Sequence, residues 1–145
     1  LFVTNAIDNE PLPLYGDGKN VRDWLFVEDH ARGIDHALRY GAPGNVYNIA
    51  GENERENVVL TRRILKEVGK GPELIKPVKD RAGHDRRYSI DSHKLKALGW
   101  GPLMNWDDGV ALTVKWYRDN EWWWRPIKSG AFKEYYKRQY EDREK

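Results

Sequence analysis

The sequence has no cysteine, one methionine and no long apolar run among its 145 residues. The lack of cysteine excludes a disulfide scaffold, cysteine-ligated zinc and thiol catalysis, and it fits a reducing compartment, which we take to be the cytoplasm. Uncharged apolar runs fall far short of the ~20 residues that a transmembrane helix needs, so we expect no membrane partner. The 25 basic and 23 acidic residues give a net charge of +2. That is not the basic excess of a general nucleic-acid binder, so we expect no nucleic-acid partner.

The start of the chain lacks the usual signals of a natural beginning. The first residue is Leu1, the only methionine is Met104, and no signal-peptide pattern follows. Apolar residues occur at helical spacing at once, but no capping Ser, Thr or Asp precedes them. We therefore expect a piece of a longer protein.

Short strand patterns alternate with helix patterns along the chain, which predicts an α/β fold. The predicted helices cover residues 1–9, 27–40, 57–68, 92–98 and 106–120, and the extended or strand segments cover 12–15, 21–26, 45–50, 74–78 and 87–90. No Gly-, Ser- or Pro-rich linker divides them, so we predict one unit over residues 1–126 and a polar helical tail over 127–145. A doubly wound sheet needs four or five further strand–helix units, which would have to precede Leu1.

Several familiar catalytic motifs are absent. There is no P-loop, no His-Glu-x-x-His and no Gly-x-Ser-x-Gly, and the glycine turn at residues 16–21 lacks the third glycine of a dinucleotide fingerprint. Tyr15 and Lys19 have the Tyr-x-x-x-Lys spacing of some dehydrogenases, but that chemistry needs both side chains on one helix face. Two glycines between them predict a turn instead. The four histidines show no metal-ligand spacing, so we predict no metal site.

Tyr15 lies just before the glycine turn, and Arg22 follows seven residues later at the head of a predicted strand. Arginine presents a rigid fork of donors that suits phosphate, and an exposed aromatic ring can stack on a nucleobase. A hairpin with a surface tyrosine and a paired arginine explains the same pattern. Spacing alone favours that simpler interpretation.

Two further segments carry groups that suit an anion. Asn57 begins a predicted helix, where free N–H groups and the helix dipole attract negative charge, although position alone favours a plain N-cap. Residues 80–88 (DRAGHDRRY) gather arginines and a histidine around a glycine. Such a loop can hold a phosphate, but pairing of Asp80 and Asp85 with the arginines would explain it equally well.

Together these segments resemble the dTDP-glucose 4,6-dehydratases, a family of extended short-chain dehydrogenases/reductases. The resemblance is carried in order and spacing by residues 11–30 (PLPLYGDGKNVRDWLFVEDH), 46–51 (VYNIAG), 80–88 and 98–100 (LGW). It covers residues 1 to about 124 and implies the C-terminal part of a Rossmann-like enzyme: the last sheet strand and its helices, with a small α/β substrate-binding domain. One departure is Ala82, where the family usually has proline, which leaves the loop backbone freer.

The resemblance implies a role for each matched position. Pro13, Leu14 and Tyr15 would line the thymine end of a nucleotide site. Arg22 and Asn57 would hold the diphosphate. The loop residues that would close over the nucleotide are Asp80, Arg81, Ala82, Gly83 and His84. We expect substrate-binding residues in this chain and no catalytic, cofactor-binding or metal-binding ones.

The reaction implied is the NAD-dependent dehydration of dTDP-glucose to dTDP-4-keto-6-deoxyglucose, a lyase reaction of deoxysugar biosynthesis. It requires a glycine-rich loop for NAD, a helical Tyr-x-x-x-Lys pair and an Asp-Glu pair, which this sequence lacks. We expect them before Leu1, so the chain alone should be inactive, and the whole enzyme should be a homodimer. The alternatives are another nucleotide-sugar enzyme of this fold, such as a UDP-sugar decarboxylase or epimerase, or a nucleic-acid-binding module.

Overall fold

The computed structural model describes residues 1–130, 135–137 and 139. Helices and strands alternate along this part, as an α/β fold requires. The helices are α1 (Phe2–Ile7), α2 (Val27–Tyr40), α3 (Asn57–Val68), α4 (His93–Lys96), α5 (Trp106–Asp119) and α6 (Glu121–Ser129). The strands are β1 (Leu12–Tyr15), β2 (Val21–Asp23), β3 (Glu54–Glu56) and β4 (Ile75–Val78).

The strands form two small ladders that place distant segments side by side. β1 runs parallel to β4, with Tyr15 opposite Val78 at one end. A parallel pair needs a long crossover, which β2, α2, β3 and α3 supply here. β2 runs antiparallel to β3, with Val21 opposite Glu56. On its other edge Val21 forms an isolated bridge with Arg87, so the chain after residue 80 runs beside β2.

The hydrophobic core lies between α1, β1, α3 and α5. Its buried members are Ala6, Leu12, Ile64, Leu65 and Val114. Because successive strand side chains point to opposite faces, β1 presents different residues to its two sides. Leu14 is 6% exposed, and a Cβ at Gly18 would come within 2.6 Å of it. Pro13 faces the other side, into a groove.

Most of the predicted elements are confirmed. α2 has the predicted bounds, and α3 ends at Gly69, whose left-handed backbone (φ 78°) is typical of a helix C-cap. α1, β1, β4 and α5 also lie where the periodicity placed them. The α/β fold class therefore follows from the sequence pattern.

Two predicted strands are wrong. Residues 45–50 belong to no strand, and residues 87–90 contribute only the single bridge at Arg87. A strand needs a neighbour for its N–H and C=O groups, and the described residues offer none to 45–50. The next amides, of Gly51 and Asn53, donate to the Asp23 carboxylate instead. β2 also ends at Asp23 rather than at residue 26.

One apolar face of α2 is uncovered in the described part of the chain. Val27, Ile34 and Leu38 have the spacing of a buried stripe, yet they are 70%, 55% and 82% exposed. The helix packs through its other side, where Asp29 is 3% exposed. On this side Gly33 packs closely against the Ile49 side chain, since a Cβ at Gly33 would come within 2.8 Å of it.

The predicted tail begins inside α6, which contains Pro126. The Trp124 indole, 3% exposed, anchors this helix by donating to the Tyr117 carbonyl at 2.8 Å. Lys128 adds an ion pair to Asp8 at 2.7 Å. Residues 131–134, 138 and 140–145 of the tail lie outside the described residues, so the division at residue 126 stays a prediction.

Gly69→Ala is expected to destabilise the chain by about 1 kcal/mol, because an alanine resists the left-handed backbone. No atom lies within 4 Å of the added Cβ, so strain alone accounts for the loss. Gly101→Ala is the matched control, since Gly101 also has open space but no positive φ. Urea denaturation followed by circular dichroism measures both variants. Equal midpoints would contradict the strain argument.

Candidate functional site

Tyr15, Arg22 and residues 80–88 lie together at one end of the β1–β4 pair. Tyr15 is the last residue of β1, and the Gly16 amide donates to the Val78 carbonyl at 2.9 Å, which fixes the start of the glycine turn. The chain then leaves β4 directly into the loop. One end of the loop of residues 80–88 follows β4. Near its other end, the loop lies along the edge of β2 and forms the Val21–Arg87 bridge, so it is held beside Arg22.

Arg22 is held from several sides. Its Nη2 donates to the Asp85 carbonyl and to Nε2 of His84, both at 3.0 Å, and its Nη1 donates to the Val21 carbonyl at 2.6 Å. The guanidinium carbon lies 4.0 Å from the centre of the Tyr88 ring. The other two of its five N–H groups have no partner among the described residues, so they can serve a ligand.

His84 connects Arg22 with Asp80. Its Nδ1 lies 2.6 Å from Asp80 Oδ1, and its ring meets the Tyr15 ring edge-on at a centroid distance of 5.6 Å. A guanidinium only donates, so Nε2 must accept, which places the ring proton on Nδ1 facing Asp80. The hydrogen bond from His84, together with the Arg81 amide, holds the pKa of Asp80 below its ordinary value. The carboxylate thus fixes the histidine tautomer.

The acidic residues of the loop are not paired with its own arginines, which answers the question left open by the sequence. Asp80 binds His84, and Asp85 accepts the Tyr88 hydroxyl at 2.7 Å. Arg86 reaches back to Asp17 at 2.9 Å and lowers the pKa of that carboxyl to about 2. The similar bond from Arg87 goes to Glu54.

Arg81 and the loop tip remain open to a ligand. Within the described residues the Arg81 side chain has no hydrogen bond or ion pair, and it is exposed. Ala82 and Gly83 are exposed beside it, and no atom lies within 4 Å of a Cβ placed on Gly83, whose φ is 67°. The loop can therefore present an uncommitted positive charge.

Asn57 is the first residue of α3, and the N-cap position belongs to Glu56. The N-cap interpretation is therefore wrong, because the turn before β2 satisfies the first amides instead. The Asn57 and Val58 amides donate to the carbonyls of Asn20 and Gly18 at 3.0 and 2.9 Å. Oδ1 of Asn57 is buried without a partner in the described part. Any anion contact here would come from the side chain.

Pro13 and Leu14 occupy different environments. Pro13 lines an open groove of about 1300 Å³ together with Lys76, Val78 and Tyr136. Leu14 turns inward to the core, so only its backbone could touch a base. Direct contacts join Tyr15, Arg22, Asp80 and His84, and Arg81, Ala82 and Gly83 belong to the same loop. Pro13 lines the groove, Asn57 begins α3, and the Leu14 side chain is buried.

Sequence reasoning missed two contacts of this site. Gln139 donates from Nε2 to the Tyr15 hydroxyl at 2.9 Å, across 124 positions of the chain. No motif in the tail indicates that contact. Tyr88 stands within a recognised segment, but its stacking under Arg22 depends on the bridge at Arg87.

The described residues contain no cluster of three or more His, Asp or Glu side chains able to hold a metal ion. Nor does any helix in residues 1–130 combine the length and the apolar character needed to cross a bilayer. Arg22 and Arg81 give the site positive charge, and Tyr15 and His84 give it aromatic rings, a combination that suits an aromatic, phosphorylated ligand.

Comparison with known proteins identifies relatives of this chain. The model of the GDP-mannose 4,6 dehydratase family matches residues 1–113. A dTDP-glucose 4,6-dehydratase of Streptomyces antibioticus is 49% identical over 129 residues, which are 88% of this chain and 38% of the relative. The crystal structure of dTDP-glucose 4,6-dehydratase from Bacillus anthracis, in complex with NAD, is similar with a TM-score of 0.82 and 48% identity, covering 88% of this chain and 40% of that one.

UDP-glucose 4-epimerase from Thermotoga maritima, with UDP-glucose, is similar with a TM-score of 0.72 and 30% identity, covering 81% of this chain and 38% of that chain. The chain thus spans about two fifths of the length of the curated relatives it matches. The family match and these similarities confirm the resemblance inferred from the sequence: the chain belongs to the GDP-mannose 4,6 dehydratase family of Rossmann-fold extended short-chain dehydrogenases/reductases.

Proposed function

We propose that this chain is the nucleotide-sugar-binding part of a dTDP-glucose 4,6-dehydratase. The convergence of Tyr15, Arg22 and His84 carries the proposal, because His84 is 62 or more positions from the other two residues and yet contacts both of them. Relatives named as dTDP-glucose 4,6-dehydratases support the substrate class.

Each predicted residue then has a physical task. Tyr15 and Pro13 would contact the base, since one offers an aromatic ring and the other lines the groove. Arg22 would donate its two available N–H groups to the diphosphate, with the Asn57 side chain beside it. Arg81 would supply a second positive charge once the loop of residues 80–84 closes over the ligand.

NAD does not fit the residues of this part. A dinucleotide site needs a glycine-rich loop that opens a helix, and the turn at residues 16–20 leads into β2. We therefore assign NAD and the catalytic residues of the whole enzyme to another part of the polypeptide. The present residues bind and orient the nucleotide, and the chain alone should not convert dTDP-glucose to dTDP-4-keto-6-deoxyglucose and water.

Two features of the fold support this division of tasks. The apolar face of α2 is exposed, and residues 45–50 lie outside any ladder of the described part. We propose that a dinucleotide-binding part covers the helix face and pairs with residues 45–50 as the last strand of its sheet. From the family resemblance, the absence of cysteine and the net charge of +2, we also propose a cytoplasmic homodimer for the whole enzyme, with no nucleic-acid partner.

The 145-residue chain is expected to bind dTDP and to prefer it to UDP roughly fourfold or more. The base methyl that distinguishes thymine from uracil, buried beside Pro13, would contribute about 0.8 kcal/mol, which corresponds to about fourfold in affinity. Isothermal titration calorimetry with each nucleotide measures the difference. A preference for UDP would favour the decarboxylase or epimerase alternative, whereas binding of RNA or DNA with a steep salt dependence would favour the nucleic-acid module.

A further inference from the structure

Arg22 lies on the face of the Tyr88 ring, with its guanidinium carbon 4.0 Å from the ring centre. The backbone fixes this arrangement. The Val21 amide donates to the Arg86 carbonyl at 2.8 Å, and the Tyr88 amide donates to the Val21 carbonyl at 3.1 Å. Because these two bonds flank Arg22 and Tyr88, the two side chains project from neighbouring, locked positions.

Tyr88 is itself held in place. Its hydroxyl donates to Oδ2 of Asp85 at 2.7 Å, and this bond raises the pKa of Tyr88, so the phenol keeps its proton. The side chain is about half exposed, so it is a surface platform rather than a core residue. It can be replaced without opening the hydrophobic core.

The edge of the Arg22 guanidinium is fixed by acceptors. His84 Nε2 and the Asp85 carbonyl both accept from Nη2 at 3.0 Å. An arginine on a free surface samples many rotamers, and that freedom is lost when it binds a ligand. With a ring against its face and acceptors at its edge, Arg22 has lost much of this freedom before a ligand arrives.

We propose that Tyr88 is a positioning residue for the diphosphate: its ring holds the Arg22 guanidinium in the orientation that meets the phosphates. This role rests on the proposed function and adds a residue outside the positions that the resemblance implies. Tyr88 acts through Arg22 and makes no contact of its own with the phosphates.

The test compares Tyr88→Leu, which removes the ring face, with Tyr88→Phe, which keeps it. A cation–π contact at an exposed position corresponds to about a two- to fivefold change in affinity. We expect Tyr88→Leu to bind dTDP that much more weakly by calorimetry, and Tyr88→Phe to bind within twofold of the wild type. Thymidine, which has no phosphate, should bind equally to all three.

A double-mutant cycle separates positioning from a general structural effect. In an Arg22→Ala background, Tyr88→Leu should cause no further loss of dTDP affinity. The role of Tyr88 is overturned if the loss persists in that background, if thymidine binding falls equally, or if Tyr88→Leu binds dTDP like the wild type. A wild-type chain that binds no dTDP would instead overturn the proposed function, and the role of Tyr88 with it.

Discussion

Arg22→Ala is expected to weaken dTDP binding about ten- to one-hundredfold. The two available N–H groups of Arg22 would donate to a doubly charged diphosphate, and each charge-assisted bond contributes about 1.5–3 kcal/mol. One such bond corresponds to roughly one order of magnitude in affinity, so two orders mark the upper end. In the variant the exposed Asp85 carbonyl can turn to water, whereas Nε2 of His84, whose side chain is only 6% exposed, loses its donor.

Isothermal titration calorimetry of dTDP against wild type and variant measures this effect. Arg87→Ala is the matched control, because Arg87 is an exposed arginine of the same loop whose partner is Glu54. We expect the control to bind dTDP within about twofold of the wild type, since exposed ion pairs contribute at most about 1 kcal/mol to stability and this one lies outside the site. Equal losses of dTDP affinity in both variants would mean that only the overall charge of the chain matters. An unchanged dTDP affinity in Arg22→Ala would contradict the role assigned to Arg22.

Asp29→Ala is expected to lower the free energy of unfolding by about 2–5 kcal/mol. The carboxylate is almost fully buried, and it accepts the amides of Leu103 and Met104 at 3.1 and 2.9 Å and Arg32 at 2.7 Å. Each buried donor left without a partner costs about 1–3 kcal/mol. Because domains are stable by only about 5–15 kcal/mol, the variant should lose a large share of its stability.

The effect of Asp29 should also depend on pH. Burial opposes its ionisation, but the two amide bonds and Arg32 outweigh burial and hold the pKa of Asp29 below the ordinary 3.8. A lowered pKa stabilises the fold above the ordinary value, and the contribution is lost as the pH falls through the pKa of the folded state. The difference in the free energy of unfolding between wild type and Asp29→Ala should therefore have its largest value at pH 7 and become smaller below about pH 4.

Urea denaturation at pH 7 and pH 3 tests both parts of this prediction. Asp35→Ala on the same helix is the control, because Asp35 is exposed and its ion-pair partner among the described residues is Arg39. Such an i,i+4 pair contributes about 0.3–0.5 kcal/mol. If Asp29→Ala and Asp35→Ala unfold at the same urea concentration at pH 7, the structural role of Asp29 is wrong.

The sequence predicted the elements whose signals are local. The bounds of α2 follow from its periodic residues and from Gly41, and the end of α3 follows from Gly69. The fold class and the turn at residues 16–20 also follow from local signals, namely the alternation of strand and helix patterns and the closely spaced glycines. Tyr15, Arg22 and residues 80–84 could be named together only through the family resemblance, since spacing alone left simpler interpretations open.

The errors concern interactions between distant segments. Residues 45–50 have a strand-like composition, but a strand exists only when another strand lies beside it. Asn57 has a side chain that suits an N-cap, but the first amide of the helix already donates to the Asn20 carbonyl and needs no side-chain cap. No periodic pattern in the sequence predicts the contact from Gln139 to Tyr15. None of these partners can be read from a window of neighbouring residues.

The site is assembled from segments that are far apart in the chain. His84 and Arg22 are separated by 62 positions, and the loop that carries His84 follows β4, which pairs with β1. Parallel pairing over such a distance requires a large loop to close first, so the site should appear late in folding. Under the proposed function, nucleotide binding and folding would be linked: a nucleotide at one hundred times its dissociation constant would add about 2.7 kcal/mol to the stability of the folded chain. That gain would be a substantial addition to the roughly 5–15 kcal/mol by which domains are stable.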